Sequence, residues 1–274
     1  MNHKNIAVIL AGGVGSRLGN ERPKQFYIMA GKTIIEHTID AFEQNEAIDE
    51  IAVVSNADYI DDIHQLIAQN TWQKLRVVLP GGRERYESTL VAVRHYADCP
   101  QYNLLFHDAV RPLVSQRIIN DVLQALQQYR VVNVAVPATD TIIEVDESGH
   151  LITSVPNRKF LRRGQSPKGF RQEVIAEAYR LALEDPHFVS TEDCGTVAKY
   201  LPQETIYVVE GEEQNMKLTY PRDIYVLEEL FKNKGLHEFK KADFAKLIKE
   251  NILSETDISI EIRTIIQKIK KNKI

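Results

Sequence analysis

The chain has 274 residues, 43% of them hydrophobic, and a formal net charge of −4 at pH 7. A chain of this length buries roughly three quarters of its unfolded surface, so its core needs no staple. Two cysteines, Cys99 and Cys194, are too few for a disulfide framework and read as reduced thiols. The charge gives no global basic field for nucleic acid. No stretch approaches the ~18 apolar residues of a membrane span, and the apolar run near the start is too short for a signal peptide. The expectation is a cytoplasmic protein that binds neither nucleic acid nor membrane.

Strand-like and helix-like segments alternate along the chain. Residues 6–10 are a short β-branched run that ends in glycine, and 34–42 have helical spacing. A strand at 51–55, a helix at 59–69 and a strand at 75–79 follow. Next come a helix at 84–96, a strand at 103–106, a helix at 116–129 and a strand at 131–136. Continuous apolar strands separated by helices indicate a parallel sheet covered on both faces. Ligands of such sheets bind at the carboxyl ends of the strands, so the loops after strands are the informative ones.

The pattern changes after Asp140. Two β-rich runs, 141–145 and 151–155, flank Asp146-Glu147-Ser148-Gly149-His150, a hairpin signal. A hairpin inserted in a parallel fold projects as an arm and is a natural contact for a second copy of the chain, which predicts a homodimer. Helical patterns resume at 173–183 and 194–200, a last strand falls at 205–209, and a helix begins near Asp223. From about Lys234 the composition shifts to Lys, Glu and Ile in two amphipathic stretches, read as a helical appendage packed on protein.

The loop after the first strand reads Leu10-Ala-Gly-Gly-Val-Gly-Ser-Arg-Leu-Gly-Asn-Glu-Arg-Pro-Lys-Gln25. Gly12, Gly13 and Gly15 let the backbone approach a ligand and aim several N–H groups at one anion. Arg17 and Lys24 add cations, one able to fork onto two phosphate oxygens and one a point charge. A dinucleotide fold would need an acid at the end of the second strand, but that strand ends in Ser55-Asn56. No P-loop string follows the first strand either.

This loop resembles the signature of the sugar-nucleotide pyrophosphorylases. Pro23-Lys24-Gln25 narrows the resemblance to the cytidylyltransferases that act on methylerythritol phosphate and on ribitol 5-phosphate. It recurs from about Asn5 to Glu229. The resemblance implies nucleotide contacts at Ala11, Gly12, Gly13 and Gly15. Gly81-Gly82-Arg83-Glu84-Arg85-Tyr86-Glu87-Ser88 is similar to the family block that contacts cytosine and ribose, which adds Gly82, Arg85 and Ser88. Phe106-His107-Asp108-Ala109-Val110-Arg111-Pro112 is similar to the family's His-Asp-Ala-x-Arg-Pro. A carboxylate at a strand end suits Mg²⁺, which takes one or two carboxylates with phosphate oxygens and water, so Asp108 is the candidate metal ligand. Arg111 is expected to support the loop by pairing with a neighbouring carboxylate.

The resemblance further implies that Arg158 and Ser166 bind the acceptor phosphate, with Asp140 nearby. Thr191-Glu192-Asp193 is expected to shape the acceptor pocket or the dimer contact. Arg163-Gly164-Gln165-Ser166-Pro167 looks like the polyol-phosphate branch, although Lys168 departs from the usual Gln. Glu210-Gly211 through Asn215-Met216-Lys217-Leu218-Thr219 resembles the family's closing block, in which Lys217 contacts the α-phosphate.

The expected fold is therefore α/β, a doubly wound, mostly parallel, Rossmann-like nucleotidyltransferase sheet. It carries an inserted β-hairpin arm at 140–156 and a helical C-terminal appendage. A catalytic domain at 1–232 and an extension at 233–274 are expected. The expected reaction joins CTP and a polyol phosphate, D-ribitol 5-phosphate, into a CDP-polyol and pyrophosphate for a surface polymer, with Mg²⁺ as cofactor and Arg17, Lys24 and Lys217 as catalytic cations. The alternatives are a methylerythritol-phosphate cytidylyltransferase and a non-catalytic nucleotide-binding module.

Overall fold

The computed structural model describes residues 3–13, 22–189 and 192–238. The chain divides into two compact units, residues 1–224 and 225–274. In chain order the first unit contains β1 (Asn5–Ala11), β2 (Ile28–Met29), β3 (Lys32–Thr33), α1 (Ile34–Glu43), β4 (Glu50–Ser55), α2 (Ile60–Gln69), β5 (Leu75–Pro80), α3 (Arg85–His95), β6 (Asn103–Asp108), α4 (Gln116–Ala125) and β7 (Val131–Pro137). It continues through β8 (Glu144–Val145), β9 (Ile152–Ser154), β10 (Arg162–Arg171), α5 (Gln172–Glu184), α6 (Asp193–Tyr200) and β11 (Ile206–Glu210). A last helix, α7 (Pro221–Glu238), follows. The extension beyond Glu238 lies outside the described residues.

Seven strands form one sheet in the order β11-β7-β10-β6-β1-β4-β5. Every neighbouring pair is parallel except the two made by β10, which runs antiparallel to both β6 and β7. The alternating side chains feed two cores. On one face Ala7, Ile9, Val53 and Leu105 pack with Ile35, Ile39 and Phe42 of α1 and Ile118, Ile119 and Val122 of α4. On the other, Ile6, Val8, Val54 and Phe106 pack with α3, α5 and α6 through Leu90, Val93, Ile175, Tyr179 and Val197. The central strands are apolar on both sides because both sides are covered. Each buried Ile or Leu contributes about 1.5–3 kcal/mol of transfer free energy.

Local signals start the helices. Thr33 and Glu36 form a capping box for α1, and Glu84 and Glu87 do the same for α3. Ser115 caps α4 by accepting from the Ile118 amide at 3.2 Å.

The doubly wound, mostly parallel expectation holds, with one strand that sequence patterning does not reveal. β10 occupies residues that the sequence marks only by a motif, with no strand expected there. Its buried stretch, Gln165 to Phe170, contains Gln, Ser, Pro, Lys and Gly, so it lacks an apolar run. Its register against β7 shifts between Gln165 and Gly169. The hairpin of β8 and β9 stands apart from the main sheet as its own two-stranded ribbon. Its turn is closed by hydrogen bonds from the Ser148 hydroxyl and the Leu151 amide to the Asp146 carboxylate, with Gly149 in the left-handed region at φ 75°.

Candidate active site

The carboxyl ends of β1 and β6 and the turn after β5 meet around a cavity of about 530 Å³. Ala11, Gly12 and Gly13 form one wall, and Lys24 with Gln25 another. Gly82, Arg85 and Ser88 at the head of α3 face them, and Asp108 and Lys217 complete the rim. The structure thus gathers most of the candidate residues in one place. Gly15 and Arg17, and Thr191, lie outside the described residues.

The first loop is tied back to its strand. Gln25, almost fully buried, donates from Nε2 to the Ala11 carbonyl at 2.7 Å, and Lys24 Nζ donates to the Leu218 carbonyl at 2.7 Å. The second loop needs glycine for packing as well as for ligand approach. A Cβ on Gly82 would lie 2.2 Å from the Glu87 Cβ inside the α3 capping box.

Arg85 reaches the cavity from α3 and is braced from behind. Its Nη1 donates to Asp193 at 2.7 Å. Asp193 is fully buried and also accepts from the hydroxyls of Thr89 at 2.9 Å and Tyr179 at 2.7 Å. A buried carboxylate is costly unless paired and hydrogen-bonded, and three donors meet that condition here. Burial disfavours the Arg85 charge, but Asp193 and Asp108 outweigh it and hold the guanidinium pKa above its ordinary value. Next to Asp193, Glu192 caps α6 by accepting from the Gly195 amide at 2.7 Å and pairs with the buried Lys168 of β10.

Asp108 ends β6. Its Oδ2 lies 3.1 Å from Arg111 Nε and 3.2 Å from Lys217 Nζ. Burial alone would raise its pKa. Lys217, Arg111 and Arg85 overcome that and hold the carboxyl well below the usual carboxylate range. Arg111 also donates to the Asn215 carbonyl at 2.7 Å, the loop-supporting geometry expected of it. His107 is fully buried, edge-on to Phe42, and donates from Nε2 to the Arg111 carbonyl at 3.1 Å. Burial pushes its pKa down to about 4, so the imidazole is neutral near pH 7.

Three acceptor candidates sit elsewhere. Ser166 is buried in β10 and accepts the Asp108 amide on Oγ at 3.1 Å, so it touches the site from beneath. Asp140 and Arg158 lie at the foot of the hairpin, where Arg158 Nη1 donates to the Thr139 carbonyl at 2.9 Å. They do not line the cavity. Sequence reasoning named Gln165 and Asn215 only inside motif strings and gave neither a role of its own. Both are buried amides beside Ser166, and a polar residue inside a buried strand is the one signal that could have marked Gln165.

Among the described residues no group of three or more His, Cys, Asp or Glu is placed to hold a metal. Asp108 at the end of β6, one of two carboxylates on the cavity with Glu84, still fits a magnesium-like ion, which takes its remaining ligands from phosphate oxygens and water. Both cations on Asp108 approach its Oδ2.

A glycine-walled, lysine-rimmed cavity with one carboxylate at the strand ends of a doubly wound sheet defines a nucleotidyltransferase. The model of the IspD family, 2-C-methyl-D-erythritol 4-phosphate cytidylyltransferase, matches residues 5–233. The 2-C-methyl-D-erythritol 4-phosphate cytidylyltransferase of Thermobifida fusca is 44% identical over 230 residues, covering 82% of this chain and 92% of that one. A bifunctional ribulose 5-phosphate reductase/CDP-ribitol pyrophosphorylase of Haemophilus influenzae is 40% identical over 234 residues, covering 85% of this chain and 49% of that one. The crystal structure of 4-diphosphocytidyl-2C-methyl-D-erythritol synthase from Anaerococcus prevotii superposes with a TM-score of 0.72 at 27% identity, covering 84% and 96% of the two chains. The chain belongs to the IspD family of cytidylyltransferases and is a CTP-dependent enzyme that acts on a sugar phosphate.

Proposed function

We propose that this enzyme joins CTP to D-ribitol 5-phosphate, releasing pyrophosphate and forming CDP-ribitol for a cell-surface polymer. The observation that carries a cytidylyl transfer is the convergence of the Gly12-Gly13 loop, Lys24, Asp108 and Lys217 on one cavity. The ribitol acceptor is supported by the Arg163-Gly164-Gln165-Ser166-Pro167 string and by the Haemophilus influenzae relative.

In this reading an acceptor phosphate oxygen attacks the α-phosphorus in line. A bond forms from that oxygen to phosphorus, and the bond to the β-phosphate oxygen breaks as pyrophosphate leaves. A phosphate monoester is largely dianionic at neutral pH, so the step needs no general base, and the buried, neutral His107 is consistent with that. The chain's part is positioning and charge neutralisation. Lys24 and Lys217, with Arg17, draw charge from the phosphates. Gly82, Arg85 and Ser88 hold the cytidine; Ser166, Arg158 and Asp140 do not line the cavity, and their assignment to the acceptor rests on the sequence resemblance. Mg²⁺ on Asp108 would neutralise phosphate oxygens when bound.

A second reading, methylerythritol phosphate as acceptor, is favoured by the higher identity of the Thermobifida fusca relative. Pyrophosphate release measured with CTP, Mg²⁺ and each acceptor in parallel separates the two. Faster turnover with ribitol 5-phosphate is expected. Preference for methylerythritol phosphate would overturn the acceptor and keep the chemistry.

The hairpin is assigned as a dimer contact. Its support is the exposed apolar set Ile143, Val145, Leu151, Ile152 and Val155 on an arm that leaves the sheet. The division into a catalytic domain at 1–232 and an extension at 233–274 is supported by the family match ending at residue 233, while the compact units divide earlier, at 224/225. Among the described residues no helix is long and apolar enough to cross a membrane. The two free cysteines support a cytoplasmic setting.

A further inference from the structure

Residues 211–218 follow β11 as a strap that carries Lys217 to the cavity rim. Two buried amides fasten the strap to β10. Gln165 donates from Nε2 to the Glu212 carbonyl at 2.8 Å and accepts the Glu212 amide on Oε1 at 3.2 Å. A side-chain amide thus pairs with a backbone peptide as a neighbouring strand would. Asn215, fully buried, donates from Nδ2 to the Ser166 carbonyl at 2.8 Å and to Gln165 Oε1 at 3.3 Å. The fit is close. A Cβ on Gly211 would lie 2.3 Å from Gln165 Oε1, so the strap packs directly on that amide.

Beyond Asn215 the strap is tied to the opposite wall. Arg111 donates to the Asn215 carbonyl, and the Leu218 amide donates to the Val110 carbonyl at 2.9 Å. Lys217 lies between these ties, with Nζ 3.2 Å from Asp108 Oδ2. Its side chain is partly exposed, so the backbone beneath it sets where the ammonium that meets Asp108 can reach. Gln165 does not line the cavity. Its side-chain hydrogen bonds go to Glu212 and Asn215 of the strap.

We infer that Gln165 is a positioning residue for Lys217: the Gln165–Glu212 pairing, completed by Asn215, fixes the strap at the height from which Lys217 meets the reacting phosphate. The inference rests on the proposed role of Lys217. It also changes the reading of the Arg163–Ser166 string. Gln165 serves the transfer step for any acceptor, so it is not what sorts one polyol phosphate from another.

The test is Gln165→Met, which keeps length and volume but removes both hydrogen bonds to Glu212. A misplacement of about 1 Å costs on the order of 10²-fold in rate, so kcat should fall by roughly 10- to 10²-fold. KM for CTP should change by less than about threefold, since the nucleotide walls are untouched. The same substitution in a Lys217→Ala background should cost no further kcat, because the residue it positions is gone. A merely structural role would lower kcat equally in both backgrounds, in step with thermal stability. That result, or normal kcat in Gln165→Met beside a slow Lys217→Ala, would overturn the inference. Normal turnover in Lys217→Ala itself would overturn the reading of Lys217, and the inference with it. If Gln165→Met does not fold, Gly211→Ala presses the same amide from the strap side and should give the same kcat loss and the same dependence on Lys217.

Discussion

Asp193 and Lys168 show how single residues decide the site. Neither lines the cavity, yet Asp193 braces Arg85, which does, and Lys168 pairs with Glu192, the cap of α6 next to Asp193. Cys194 lies among the same charges. It is 4% exposed, and burial pushes its thiol up to about 12, with Asp193 adding to the shift and Lys168 opposing it. A thiol whose folded pKa is raised stabilises the fold fully below the unfolded value near 9 and loses that contribution as pH rises toward 12. Wild type should therefore lose roughly 3 kcal/mol more stability than Cys194→Ala between pH 8.5 and 11. Denaturant melts of both proteins across that range check it. Parallel losses would show that Cys194 ionises as freely folded as unfolded.

At this scale much was legible. Lys24 and Asp108 could be named because they sit in unusual residue strings at or after strand ends, and Lys217 because its string resembles the family's closing block; the structure brings all three to one cavity. Asp193, Gln165 and Asn215 could not be given their roles, because each acts through a partner far away in sequence. The Asp193 contact to Arg85 spans 108 positions, and the Gln165 contact to Glu212 spans 47.

At the scale of elements, the parallel strands and helices announced themselves through apolar runs and helical periodicity. β10 did not. A central strand that carries Gln165, Ser166 and Lys168 trades apolar burial for hydrogen bonds to neighbours, and patterning rules do not register such a strand. The hairpin was legible because its turn chemistry is local: Asp146, Ser148 and Gly149 close it without help from the rest of the chain. Its function is a question of what covers it. Exposed apolar residues gathered on one projecting arm are expected to be buried by a second copy. The full chain should sediment as a dimer, and Ile152→Glu combined with Val145→Glu should shift it toward monomer by placing charges in the contact. A wild-type monomer at micromolar concentration, or a dimer indifferent to both charges, would show that the arm is not the interface.

At the scale of the molecule, the sheet holds two cores apart and leaves its carboxyl edge to the ligand. The antiparallel β10 brings Ser166 under Asp108, while the strap after β11 brings Lys217 over it. The site is therefore assembled from both halves of the chain, which is why no single motif discloses it. The central claim is that this assembly is the active site. Its most direct test is pyrophosphate release from CTP, Mg²⁺ and acceptor by Lys24→Ala and Lys217→Ala, each with a thermal melt to show that it folds. Loss of one such charge-stabilising donor should lower kcat by about 10²–10³-fold in each folded variant. Near-normal turnover in either would contradict the account and place the chemistry elsewhere.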